Sequence, residues 1–161
     1  MTTSQPEVNF KELLKRPACF LGLGFGSGLA PKAPGTFGTL AALPIYWLMK
    51  DLPLTIYLLI TVLAFIAGIW ICQKSADWLN KDDPSAVVWD EIVGYLVTMI
   101  AVPSGWQWML AGFVLFRFFD ILKPWPISYF DKNLHGGLGI MFDDVVAGLF
   151  AAAIIHIFII F

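Results

Sequence analysis

Leu52-Pro53-Leu54-Thr55-Ile56-Tyr57-Leu58-Leu59-Ile60-Thr61-Val62-Leu63-Ala64-Phe65-Ile66-Ala67-Gly68-Ile69-Trp70-Ile71-Cys72 is a run of 21 residues with no charged side chain. As a helix it would cover about 30 Å, the thickness of a bilayer's hydrocarbon core. The rest of the chain agrees: of 161 residues, 58% are hydrophobic and only 14% charged, and the mean hydropathy is +0.76. Soluble domains are not built this way. The prediction is one membrane domain over residues 1–161, an all-α integral membrane protein folded as a small polytopic helical bundle of about five membrane segments.

Upstream, Leu21 to Leu40 mixes apolar residues with Gly22, Gly24, Gly26, Gly28, Gly35, Gly38, Pro31 and Pro34. So many helix breakers predict a Gly-rich irregular N-terminal loop. Thr36 or Thr39 is then placed to cap a helix running to about Met49. Before it, Asn9 to Arg16 sets Lys11, Lys15 and Arg16 beside Phe10, Leu13 and Leu14, a pattern shared by an interfacial amphipathic helix and a frayed basic tail. Residues 1–16 are polar, include Pro6 and do not read as a signal peptide.

Downstream, Gln73 to Ser85 turns polar, Ala86 to Pro103 and Trp106 to Leu122 are further apolar segments, and Val145 to Phe161 is the last. If all five segments cross, one side receives Lys11, Lys15, Arg16, Lys32, Lys74, Lys81, Arg117, Lys123 and Lys132, and only Lys50 of the ten basic residues falls on the other. The positive-inside rule makes the first side cytoplasmic.

The charges inside apolar segments carry the chemistry, because an unpaired charge there costs several kcal/mol, about 3 at a helix centre. Asp90-Glu91 and Asp143-Asp144 each read as an acid pair at a helix start, and Asp120 lies at the same depth. Helix capping explains either pair alone. Five carboxylates at one face repel one another unless cations neutralise them, and an oxygen-only set points to a hard ion such as Mg²⁺. Arg117, Asp120 and Lys123 recur every three residues as a row on one helical face, followed by a connection through Asp131 and a Gly136-Gly137-Leu138-Gly139 turn. Lys32 and Thr36, near a helix start, join Arg117 and Lys123 as candidate phosphate contacts; the competing readings are tight glycine packing, pairing of Arg117 with Asp120, and snorkelling of Lys123. His135 and His156 read as structural, Cys19 and Cys72 as plain apolar residues. A net charge of -2 argues against a nucleic-acid partner.

Gly26-Ser27-Gly28-Leu29-Ala30-Pro31-Lys32-Ala33-Pro34-Gly35-Thr36-Phe37-Gly38-Thr39-Leu40, Trp89-Asp90-Glu91-Ile92-Val93-Gly94, Phe116-Arg117-Phe118-Phe119-Asp120-Ile121-Leu122-Lys123-Pro124-Trp125-Pro126-Ile127 and Gly139-Ile140-Met141-Phe142-Asp143-Asp144 together resemble the phosphatidylglycerophosphatase A family of bacterial inner membranes. The resemblance implies a Mg²⁺-dependent lipid phosphatase that removes the terminal phosphate of phosphatidylglycerophosphate, with a membrane phospholipid as substrate and the site at the cytoplasmic face. It implies Asp90, Glu91, Asp120, Asp143 and Asp144 as metal-binding and catalytic, and Lys32, Thr36, Arg117 and Lys123 as phosphate-binding. Two other readings stay open. A headgroup phosphotransferase would also cluster Asp residues, although the Asp-Gly-x2-Ala-Arg start of the CDP-alcohol transferases is absent. A cation channel or transporter would spread its carboxylates through the membrane depth rather than crowd them at one face.

Overall fold

A computed structural model describes residues 8–161; the reading of the first seven residues lies outside it. The regular secondary structure of the described residues is all helical: α1 (Phe10–Leu14), α2 (Pro17–Gly22), a 3₁₀ segment (Gly24–Leu29), α3 (Pro34–Met49), α4 (Leu54–Leu79), α5 (Trp89–Thr98), α6 (Trp106–Leu122), α7 (Ile127–Asn133) and α8 (Gly136–Ile160). Asn9 caps α1 by accepting from the Glu12 N–H at 3.0 Å. The Gly-rich stretch is irregular as expected, with positive φ at Gly24, Phe25 and Gly26. It is shorter than expected, because Pro34 with its fixed φ opens α3 two residues before Thr36. Neither threonine caps that helix; Ala33 holds the cap position, and the Thr39 hydroxyl donates to the Gly35 carbonyl at 2.9 Å.

Two helices, α4 and α8, are long and apolar enough to cross a membrane. The run that opened the sequence analysis lies almost wholly in α4, which continues without a break through Lys74 and Asp77 to Leu79. The other three expected segments are shorter. α3 has 16 residues and α6 has 17, about 24 and 26 Å. α5 has only 10 residues, about 15 Å, so Ala86 to Pro103 is not a spanning helix. Its end is fixed by a turn in which Ala101 takes φ 56°, ahead of Pro103, which disfavours helix at the residue before it. One of the carbonyls this exposes finds another donor, since the Tyr57 hydroxyl donates to Leu96 O at 2.6 Å; within the helix the Thr98 hydroxyl donates back to Gly94 O at 2.9 Å.

α5 is short because it is the centre of the bundle. Every residue from Ile92 to Thr98 is buried, with α3, α4, α6 and α8 packed around it. Close glycine contacts fix the directions. A Cβ on Gly94 would stand 3.0 Å from the Asp144 carbonyl, and one on Gly148 would stand 2.5 Å from the Gly94 carbonyl, so α5 and α8 run parallel with backbones nearly touching. Tyr46 meets Tyr95 edge-on at 6.0 Å, at the far end of α3 from Gly35, which lies against Glu91; α3 therefore runs the same way. α4 and α6 run back, with Gly68 against Met141 and Gly112 against Met99. The outer faces stay apolar: Leu110, Val114, Phe118, Ile121 and Leu122 are exposed along α6, as are Leu59, Val62, Leu63, Ile66 and Trp70 along α4. Both cysteines are free and buried.

Candidate active site

A cavity of about 370 Å³ opens at the end of the bundle where α3, α5 and α8 begin and α6 ends. Asp90 and Glu91 reach it from the first turn of α5. Asp143 and Asp144 do not sit at a helix start as the sequence suggested. α8 begins at Gly136, two turns earlier, and the expected Gly136–Gly139 turn is its first turn. The glycines explain this: a Cβ on Gly137 would collide with the Ile69 carbonyl of α4, and the Gly137 N–H is taken by the Gln73 side chain at 2.8 Å. Capping thus accounts for neither residue of the second pair.

Five carboxylates were expected at the site, and the structure divides them. Asp90, Glu91 and Asp144 can each offer an oxygen such that all three lie within 4.8 Å of one another. Each also keeps a buried side-chain oxygen without a hydrogen-bond partner among the described residues: Asp90 Oδ1, Glu91 Oε2 and Asp144 Oδ2. The parallel α5–α8 contact creates this convergence, since Asp90 lies one turn before Gly94 and Asp144 one turn before Gly148. Asp120 and Asp143 are instead held by cations. Asp120 accepts from Arg117 Nη1, and Asp143 accepts from Lys123 Nζ at 2.6 Å while its Oδ1 remains buried and unpartnered.

Arg117, Asp120 and Lys123 do not form the expected row. α6 stops at Leu122, and Lys123, with φ 45°, turns out of the helical face. There it bridges Asp143 of α8 and Asp131 of α7, both at 2.6 Å. Partial burial works against its charge, but Asp143 and Asp131 more than offset this and hold the ammonium above its ordinary range. Arg117 also lies 3.6 Å from Glu91. Lys32 is exposed, and neither it nor Thr36 lines the cavity; Ala33, Pro34 and Gly35 between them do. Asp82, Asp83, Asp131 and His135 complete the mouth. In the sequence Asp82 and Asp83 are only part of the polar stretch from Gln73 to Ser85 and His135 reads as structural, and no local pattern marks them otherwise.

Three oxygens in a dry site with little neutralising charge fit a hard divalent cation. Arg117, lining the same cavity with its Nε buried and unpartnered, fits an anion. Together they suit a phosphate ester. Known proteins agree. The family model for phosphatidylglycerophosphatase A matches residues 20–159. The phosphatidylglycerophosphatase A of Escherichia coli is 46% identical over 144 residues, spanning 89% of this chain and 84% of its own. That of Haemophilus influenzae is 47% identical over 144 residues, 88% of each. A Bacteroides thetaiotaomicron protein provisionally named a phosphatidylinositol-3-phosphatase is 43% identical over 157 residues, 89% of this chain and 96% of its own. No solved structure matches. With a match that spans all four motifs, the acid pairs and the cations around the cavity, the chain belongs to the phosphatidylglycerophosphatase A family.

Proposed function

We propose that the protein hydrolyses the terminal phosphomonoester of phosphatidylglycerophosphate, giving phosphatidylglycerol and inorganic phosphate. The observation that carries this reading is the convergence of three unpartnered carboxylate oxygens beside an arginine with an unused donor, in a bundle whose outer faces are apolar. Asp90, Glu91 and Asp144 would hold Mg²⁺. Bound there, the ion neutralises charge on the phosphoryl group and favours attack by water. Arg117 binds and orients the phosphate with its two-pronged geometry. The start of α3, with Gly35 at the cavity wall, adds a favourable helix dipole. Lys123 fixes Asp143 and ties α7 to α8, which keeps the cavity mouth in place.

The alternating helix directions support a multi-pass topology. With α3, α5 and α8 running one way and α4 and α6 the other, the site, the residues before α3 and the connection between α6 and α8 share one side. Nine of ten basic residues fall there, so that side is cytoplasmic and the protein is a multi-pass component of the bacterial inner membrane.

Phosphate release by the purified protein tests this. We expect turnover of phosphatidylglycerophosphate with Mg²⁺ and none after chelation, at a kcat/KM above that for phosphatidylinositol 3-phosphate. Metal-independent turnover would refute the carboxylate assignment, and a preference for the inositol lipid would refute the substrate.

A further inference from the structure

Arginine presents five N–H donors in a planar fork, and at Arg117 one edge of the fork is already engaged. Nη1 donates to Asp120 and lies 3.6 Å from Glu91 Oε1. The opposite edge starts at Nε, which is buried and has no partner. Asp120 is itself 9% exposed and is not one of the three carboxylates whose oxygens lie within 4.8 Å of one another. Gly35 faces the same guanidinium: a Cβ there would lie 3.0 Å from Nη1 and 3.1 Å from Nη2. A side chain at that position would push the guanidinium and Glu91 out of place.

We infer that Asp120 is a positioning residue for Arg117: by holding Nη1 it limits the guanidinium to a longer 3.6 Å contact with Glu91 and presents the Nε–Nη2 edge to two oxygens of the terminal phosphate. Two consequences follow from the chemistry. A long arginine side chain has several rotamers, and fixing one in advance lowers the ordering cost of binding a phosphate. Without Asp120, the nearest anion for Arg117 is Glu91, so the arginine would compete with the cation for one of its ligands. This inference rests on the phosphomonoester reading, but not on which lipid carries the phosphate.

The test uses the full chain in lipid nanodiscs, with Asp120→Ala, Asp120→Glu, Arg117→Lys and the double variant Arg117→Lys/Asp120→Ala. Inorganic phosphate binding is measured by calorimetry, Mn²⁺ binding by electron paramagnetic resonance, and turnover with phosphatidylglycerophosphate. Asp120→Ala should lower phosphate affinity and kcat/KM together, the latter about 100-fold as for loss of one preorganised donor. Mn²⁺ affinity should fall by less than phosphate affinity does, because the released Arg117 competes for Glu91 alone of the three carboxylates, and the second substitution should add less than about threefold to the effect of Arg117→Lys. Asp120→Glu should recover part of the phosphate affinity. Phosphate affinity unchanged in Asp120→Ala overturns the inference, as does a loss of Mn²⁺ affinity with phosphate binding intact, which would make Asp120 a ligand. Additive losses in the double variant overturn it as well. Should Asp120→Ala fail to fold, Asp120→Asn gives the same comparison with shape conserved. A wild type that binds phosphate but does not turn over the lipid refutes the substrate reading alone, and the binding comparison still judges Asp120.

Discussion

At the scale of single residues, the carboxylates divide by what already neutralises them. Asp90 and Asp144 are buried, have no cation paired to them, and each leaves an oxygen without a partner. Asp90→Asn and Asp144→Asn should therefore lower kcat/KM by at least about 100-fold, because a metal ligand stabilises charge in the transition state. Mn²⁺ affinity should fall with it, while membrane insertion is kept. Near-normal turnover would return Asp90 to a capping role.

Lys123 belongs to a different class. It joins Asp131 and Asp143 across two helices while retaining 28% exposure of its side chain. Lys123→Met strands Asp143 without its cation and should cost about 1–3 kcal/mol, between surface and fully buried pairs. The sign of its pH dependence is set by a folded-state pKa raised above the unfolded one. The stabilisation is fully present below the unfolded value of about 10.4 and is lost only as pH climbs through the folded value. The gap in thermal midpoint between wild type and Lys123→Met should thus not close between about pH 6 and 9. A gap that closes within that range would mean that the lysine titrates near neutrality and that the bridge is not what stabilises the fold.

At the scale of elements, the α5–α8 contact sets the site. Asp90 and Asp144 come together because Gly94 and Gly148, one turn below them, let two helix backbones meet. Gly148→Ala places a methyl 2.5 Å from the Gly94 carbonyl and 3.2 Å from Val97, neither of which can give way in a packed core. The expected cost is about 1–3 kcal/mol of overpacking. It should appear as a lower unfolding temperature and a weaker Mn²⁺ affinity, since the displacement separates the acids above it. Unaltered Mn²⁺ affinity in a destabilised Gly148→Ala protein would show that the carboxylates do not depend on this contact.

At the scale of the whole molecule, the short helices and the buried site have one cause. From Asp144 to Ile160, α8 extends about 24 Å, less than the roughly 30 Å of a hydrocarbon core. With its far end at the opposite boundary, the carboxylates would lie about 6 Å inside the cytoplasmic one, at the base of a polar well. α5 need not reach either surface. Sidedness can be read with single cysteines placed in a background lacking Cys19 and Cys72. An impermeant thiol reagent, applied to cells with a permeabilised outer envelope, should label position 50 and spare position 133. The reverse pattern would refute the proposed orientation and the cytoplasmic origin of the substrate.

The sequence by itself determined the class of protein and singled out the acid pairs, Asp120, Arg117 and Lys123 that line the cavity, but it also proposed Lys32 and Thr36, which do not line it, and left Asp82, Asp83 and His135 unmarked. The uncharged run from Leu52 to Cys72 is long and apolar enough to cross a membrane, and charges as costly in apolar segments as Asp90, Glu91, Asp120, Asp143 and Asp144 mark themselves out wherever the helices lie. Local signals failed where backbone contact between distant segments overrode them. Gly136 and Gly137 signal a turn in isolation, yet against the Ile69 carbonyl they start a helix, because only glycine allows that approach. Ala86 to Pro103 is apolar enough to span, but its place at the centre of the bundle and the Tyr57 donor waiting at its end let it stop after 10 residues. Only the tertiary structure decided which carboxylates face one another and which face a cation. That choice depends on helix direction and on a pair of glycine contacts between segments more than 50 residues apart, and periodicity along one segment carries no information about either.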